Sequence, residues 1–108
     1  MKYLTAAVLA LACIATTSGV SRAAGDPKAA MAKVPLCSGC HGVNGEGKEA
    51  TDDQPAFPRL AGQIESYLIK ATLDYKSDKR IDPVMNALIK GLSDADIANL
   101  AAYYAALK

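Results

Sequence analysis

The chain has 108 residues, enough for one domain at most, and its 12 basic and 11 acidic residues leave a formal net charge of +1 at pH 7. A chain so evenly charged, with no basic cluster beyond Lys76 to Arg80, gives no indication of a nucleic-acid partner. That cluster is more simply explained as a solvated face than as a docking site for other proteins.

The first 23 residues have the layout of a secretory signal peptide. Lys2 gives a positive start, and the uncharged apolar run at 3–15 is too short to span a bilayer comfortably. Small residues stand at positions −3 and −1 of a cut after Ala23. We therefore expect export to the periplasm and a mature domain of residues 24–108 that is not inserted in the membrane.

Residues 10–13 offer an alternative to this cleavage. The sequence Ala-Leu-Ala-Cys loosely resembles a bacterial lipoprotein box, which would leave Cys13 as a lipid-bearing first residue. A cut after Ala23 would instead remove Cys13 and leave 85 residues with ten basic and eleven acidic side chains, a formal charge of −1. Chains of that size often need a staple, because their cores are small.

The mature chain opens with a short helix signal. Asp26 and Pro27 fit an N-cap and a first helical residue, and they predict a helix that continues to Lys33. Pro35 disfavours helical backbone at Val34, so we expect this helix to break or tighten there.

Cys37-Ser38-Gly39-Cys40-His41 has the spacing of a c-type haem attachment site. Two thiols three positions apart can each add to one vinyl group of a porphyrin edge, with His41 then aimed at the iron. A zinc site would need four ligands, a thioredoxin-like pair needs a βαβ context, and a disulfide here would close a strained, tiny loop. We therefore expect one covalently bound haem c, which would also staple the small fold.

The rest of the chain predicts one long loop and three helices, without any strand pattern. Residues 42–62 form a loop that is unusually long unless it wraps something. A helix over 63–77 carries an apolar stripe, a second runs over 84–90 to Gly91, and Ser93 caps the last one. The residues that make the stripe are Ile64, Tyr67, Leu68, Ala71 and Tyr75, and the buried face of the last helix is Ile97, Leu100, Ala101 and Tyr104.

A second axial ligand to the iron has few candidates. His41 is the only histidine, and the mature chain offers only Met31 and Met85 as thioethers. Met31 lies six residues before Cys37, on the histidine side of the ring, whereas Met85 follows a long loop and a full helix and can approach from the opposite side. Met85 is therefore our candidate, the alternative being that it only fills the core.

Four motifs resemble class I c-type cytochromes, above all bacterial cytochrome c553 and the single-haem halves of cytochrome c4. They are Cys37 to Gly42, Phe57 to Gln63, Pro83 to Met85 and Leu92 to Ile97. The resemblance implies an all-α cytochrome c fold of about four helices and a long loop around one haem, with the first and last helices packed across each other. Because only one Cys-x-x-Cys-His is present, a complete two-haem cytochrome c4 is excluded.

The resemblance also implies roles for individual residues. Cys37 and Cys40 would hold the haem, and His41 and Met85 would ligate its iron. The Pro58 carbonyl would accept the ring N–H of His41, and Leu60 and Tyr67 would line the ring. Arg59 would pair with a haem propionate or remain solvated, and the tyrosines at 67 and 75 belong more to the core than to the ligand set.

The function that follows is one-electron transfer by a soluble monohaem carrier, not an enzyme. Filled axial positions leave no vacant site for oxygen or peroxide. We expect a monomer in transient contact with exported or membrane-bound redox partners. The alternatives are a haem subunit of a larger dehydrogenase, or a haem sensor or peroxidase with an open distal site.

Overall fold

The computed structural model describes residues 25–108. They form four α-helices, α1 (Val34–His41), α2 (Glu65–Lys76), α3 (Pro83–Lys90) and α4 (Asp94–Ala106), preceded by a 3₁₀ turn at Ala29–Ala32. Within this part of the chain the only β-type pairing is an isolated bridge between Lys48 and Phe57, so the expected all-α fold is confirmed. The predicted signal peptide, its expected cleavage after Ala23 and the alternative lipid site at Cys13 all lie outside the described residues.

The start of the domain is tighter than the sequence predicts. A 3₁₀ turn takes the place of the expected α-helix, with the Asp26 carboxylate accepting the Lys28 N–H at 2.9 Å. The break before the cysteines is present, but Val34 is helical, so the expectation that Pro35 keeps it out of the helix was wrong. Pro35 lies in the first turn of α1, where a missing N–H leaves no hydrogen bond unmade.

The core is built around α4. All four residues expected on its buried face are buried, and Ile97 is only 1% exposed. The first described residues approach this helix closely: Asp26 N donates to Asn99 Oδ1 at 2.8 Å. A Cβ added at Gly25 would lie 1.9 Å from the Ala98 carbonyl oxygen. This contact is the packing of the first element against the last that the resemblance implies.

The face of α2 that packs inward differs from the predicted stripe. Leu68 is buried and Tyr75 packs against the core, together with Ile69 and Leu73. The N-terminal members of the stripe were wrongly expected there: Ile64 is 67% exposed and Tyr67 is 49% exposed. The N-terminal end of the stripe is therefore an apolar surface that no other segment of residues 25–108 covers.

A capping box fixes the start of α4. The Ser93 hydroxyl accepts the Asp96 N–H at 3.0 Å, and the Asp96 carboxylate accepts the Ser93 N–H at 3.0 Å. These bonds satisfy two of the helix's unpaired N–H groups. The Ser93 backbone N–H, and then the Ser93 hydroxyl, lower the pKa of Asp96 below its ordinary value.

Ser93→Ala is expected to lower the free energy of unfolding by about 1 kcal/mol at neutral pH. Because the pKa of Asp96 is lowered in the fold, its contribution is complete above the ordinary carboxyl pKa and is lost as the pH falls through the lowered value. The Ser93 backbone N–H, the larger cause of the lowered pKa, remains in the variant, so only the part due to the hydroxyl is lost. Denaturant titrations of the two proteins should therefore differ slightly less in acid than at pH 7. Ser66→Ala, at an exposed position in α2, is the control, and an equal loss there would contradict a specific role for the cap.

The described helices also bear on membrane insertion. Across residues 25–108, none is both long enough and apolar enough to cross a bilayer.

Candidate functional site

One short helix carries both thiols and the histidine. Cys37 and Cys40 are free and partly buried, and they lie one turn apart on α1. His41 is the last residue of that helix and is only 7% exposed. The three side chains expected to hold a haem and its iron thus come from a single rigid segment.

The imidazole of His41 is oriented by a backbone carbonyl. Its Nδ1 lies 2.7 Å from the Pro58 oxygen. Because a carbonyl can only accept, Nδ1 must carry the proton, which leaves the Nε2 lone pair available to a metal. This is the contact that the resemblance implies for Pro58, and such a bond also raises the basicity of a ligating histidine.

The long loop folds back onto the end of α1. Gly47 N donates to the His41 carbonyl at 2.7 Å, and Lys48 Nζ donates to the Gly39 carbonyl at 3.2 Å. The Phe57 ring meets the imidazole edge-on, with ring centroids 6.4 Å apart. The loop therefore wraps the histidine, as its length led us to expect.

Gly45 joins this loop to α4. Its carbonyl accepts the N–H groups of Leu60 and Ala61, both at 2.9 Å, and Gly62 N donates to the Tyr104 carbonyl at 3.0 Å. Gly45 has a φ of +66°, and a Cβ there would lie 2.7 Å from the Tyr104 ring. Only glycine combines this backbone with so close an approach.

Cys37 faces Tyr104 in the interior. Burial raises the pKa of the Cys37 thiol, and the nearby Tyr104 hydroxyl offsets part of that rise. Burial also raises the pKa of Tyr104, whose hydroxyl oxygen has no partner with good hydrogen-bond geometry among the described residues. The side chain of Cys37 thus lies partly buried beside Tyr104.

The described residues offer no cluster of side chains that could bind a metal ion by themselves. Among residues 25–108, no three His, Cys, Asp or Glu side chains are grouped so that they could hold one. Cys37, Cys40 and His41 are therefore not arranged as three ligands of a zinc site.

The candidate sixth ligand lies on α3. Met85 is partly buried and packs against the same core as Cys37 and Leu60. Asp82 caps this helix, its Oδ1 accepting Val84 N at 3.0 Å and Met85 N at 2.9 Å. Met85 therefore stands in a capped first turn of α3.

Apolar side chains on the segments around Met85 fit an apolar disc. Ile64 and Tyr67 are exposed at the start of α2, as are Ile81 and Val84 at the start of α3. Exposed apolar side chains mark a binding surface where they lie together. Tyr67 is exposed and lies outside the protein core, and the resemblance implies that it lines the haem ring.

Arg59 and the basic cluster at 76–80 form contacts that do not involve the thiols or His41. Arg59 is exposed, and its Nε donates to the Ala61 carbonyl at 3.1 Å. In the 76–80 cluster, Lys76 pairs with Asp94 at 2.9 Å, and the Arg80 guanidinium lies 4.9 Å from the Tyr75 ring centroid. Exposed pairs of this kind contribute little energy, which supports the interpretation of the cluster as a solvated face.

Sequence reasoning assigned no contact in the site to several residues that shape it. They are Gly45, Phe57, Asp82, Asn86 and, as a neighbour of Cys37, Tyr104. The closely spaced glycines at 42, 45 and 47 were a usable signal, because all three have positive φ angles. The contacts between Phe57 and His41, and between Tyr104 and Cys37, join distant parts of the chain and left no local pattern.

Comparison with known proteins agrees with this geometry. The family model for cytochrome c matches residues 28–108. The chain belongs to the cytochrome c family. Covalently bound haem c is the cofactor of this family, and Cys37 and Cys40 fit its attachment motif.

Individual relatives sharpen the resemblance. Cytochrome c4 of Pseudomonas aeruginosa is 44% identical over 91 residues, covering 84% of this chain and 43% of that protein. Cytochrome c-554(548) of Halomonas halodenitrificans is 38% identical over 84 residues, covering 75% of this chain and 95% of that protein. The chain thus spans less than half of cytochrome c4 and nearly all of the smaller relative.

Solved structures give the same answer for the fold. The cytochrome c4 of Acidithiobacillus ferrooxidans superposes with a TM-score of 0.59 at 34% identity, covering 66% of this chain and 38% of that one. The expected cytochrome c fold and the resemblance to a single-haem half of cytochrome c4 are confirmed.

Proposed function

We propose that this protein is a monohaem electron carrier that exchanges one electron at a time with other redox proteins. The observation that carries the proposal is the pairing of two free thiols with a histidine whose Nδ1 is held by the Pro58 carbonyl at 2.7 Å. This arrangement suits a fixed haem and an axial ligand that cannot rotate. The family membership supports the same role.

The proposed axial ligands are His41 and Met85. His41 is buried and presents Nε2, and Met85 stands in a capped helix turn against the same core. When bound, haem c supplies a one-electron Fe(III)/Fe(II) couple. The chain's own contribution is to hold an imidazole and a thioether in fixed positions, so that little has to rearrange when the charge changes.

The residues around the site favour the reduced form. A thioether sulfur is a soft donor that raises the potential, and an apolar setting disfavours the additional positive charge of the ferric state. Leu60, Tyr67 and Val84 would supply that setting. Filling both axial positions also excludes oxygen and peroxide, which distinguishes a carrier from a peroxidase or a gas sensor.

The remaining parts of the proposal concern location and partners. We propose a cleaved signal peptide ending at Ala23, a periplasmic monomer and transient redox partners, because the N-terminal segment has the layout of an export signal. Small, short-lived contacts suit a protein that must bind and release its partners in turn.

Purification from an exporting host tests this proposal. We expect a single chain that begins at Ala24, carries the mass of one haem and binds no carbon monoxide when reduced. It should titrate reversibly with one electron. Carbon monoxide binding to the untreated ferrous protein would instead support an open-site sensor or peroxidase, and stable co-purification with a dehydrogenase would support a permanent subunit.

A further inference from the structure

We propose that Asn86 is a positioning residue that holds Met85 in place by tying the α2–α3 connection to the first turn of α3. This inference rests on the proposed role of Met85 as the sixth ligand. Asn86 directly follows Met85 in the sequence. Its side chain forms hydrogen bonds within the α2–α3 connection.

The Asn86 amide joins the two ends of the connection. Its Nδ2 donates to the Tyr75 carbonyl at 2.7 Å and to the Arg80 carbonyl at 2.9 Å, and it lies 3.3 Å from Asp78 Oδ1. Tyr75 belongs to α2, whereas Arg80 lies just before α3. One side chain thus closes the connection that leads into the Met85 turn.

The other end of the same amide reinforces the cap of α3. Asn86 Oδ1 accepts the Asp82 N–H at 2.7 Å, while Asp82 Oδ1 accepts Met85 N at 2.9 Å. The backbone N–H of Asn86 also donates to the Asp82 carbonyl at 2.9 Å. Asp82 and Asn86 therefore brace each other across the turn that contains Met85.

The connection needs such a brace because its backbone is unusual. Asp78 has a φ of +61°, a conformation that non-glycine residues adopt at a cost, and it is the only non-glycine residue with positive φ among those described. Its carboxylate also pairs with Lys90 at 2.7 Å. The contacts of Asn86 thus hold together a segment that would otherwise favour other conformations.

Loss of the brace should appear as easier opening of the Met85 turn. An external ligand competes with Met85 only in molecules where the turn has moved away, so its apparent affinity reports the open fraction. Removing several part-buried hydrogen bonds of ordinary strength should raise that fraction about tenfold.

The test is the affinity of imidazole for the ferric holoprotein. Asn86→Ala should bind imidazole about tenfold more tightly than the wild type. Asn86→Asp, which keeps the acceptor for Asp82 N–H but loses the donors, should also bind more tightly. Asn99→Ala is the matched control, because it removes an asparagine on α4 whose side chain accepts the Asp26 N–H. It should destabilise the fold without changing imidazole affinity.

Thermal unfolding of all variants separates the local effect from a global one. If both Asn86 variants bind imidazole like the wild type, or if Asn99→Ala tightens binding equally at equal loss of stability, the inference is overturned. A failure of Met85→Ala to open the iron would instead overturn the ligand assignment. The two failures are therefore distinguishable.

Discussion

Met85→Ala is expected to keep the haem attached through Cys37 and Cys40 but to leave the sixth position of the iron open. The weak band at the red end of the ferric spectrum, which reports sulfur ligation, should disappear. The potential should fall, because a soft donor that favours the ferrous form has been removed. Since axial ligands set haem potentials over about 0.8 V, we expect a fall on the order of 0.1 V.

The size of the effect on ligand binding follows from the same equilibrium. If the sulfur leaves the iron in roughly one molecule in a hundred, its removal should raise imidazole affinity about 100-fold. The reduced variant should also bind carbon monoxide. Spectroscopic titration and a potentiometric titration measure these changes directly.

Met31→Ala is the control for this experiment. Met31 is 56% exposed in the 3₁₀ turn, on the histidine side of the chain. Its replacement should leave the spectrum, potential and imidazole affinity unchanged. The assignment would be reversed if the Met31 variant lost the band while the Met85 variant kept it.

Gly45→Ala is expected to destabilise the holoprotein by about 3 kcal/mol. A left-handed backbone costs a non-glycine residue about 1–2 kcal/mol, and forcing an added carbon into a packed interior costs about 1–3 kcal/mol. Both apply at Gly45, where the Cβ would meet the Tyr104 ring at 2.7 Å and the Ala61 nitrogen at 3.2 Å. Guanidinium denaturation followed by helical circular dichroism measures the loss.

Two other glycines separate the two costs. Gly62 has a φ of +73°, but its nearest contact for a Cβ is 3.3 Å, so Gly62→Ala should show mainly the backbone cost. Gly91 has ordinary backbone and a nearest contact of 3.6 Å, so Gly91→Ala should be neutral or slightly stabilising. Equal losses in all three variants would show that crowding against Tyr104 is not what Gly45 avoids.

The sequence predicted best where the signals are local. Ser93 caps α4 as expected, because capping depends on residues only three positions apart. The buried face of α4 follows from helical periodicity alone. The thiols and His41 were found because haem attachment needs them within five consecutive residues.

Prediction failed where packing between distant segments determines which side chains are buried and which residues interact. Helical periodicity placed Tyr67 and Ile64 on one face with Leu68, but it did not indicate where along the helix protein contacts stop. Val34 is helical because the first turn of α1 tolerates Pro35. The general rule that a residue before proline avoids helical backbone did not predict this. The role of Asn86 depends on its hydrogen bonds to the carbonyls of Tyr75 and Arg80. No sequence spacing predicts these hydrogen bonds.

The isolated bridge between Lys48 and Phe57 separates the outer tip of the long loop, residues 49–56, from the part that contacts His41. Their paired backbone bonds, both 2.9 Å, close off residues 49–56, which are exposed throughout. The loop residues that contact His41, namely Gly47, Phe57 and Pro58, lie outside this tip. The outer tip can therefore gain, lose or exchange residues over evolutionary time without disturbing the histidine, which makes it a natural place for related chains to diversify.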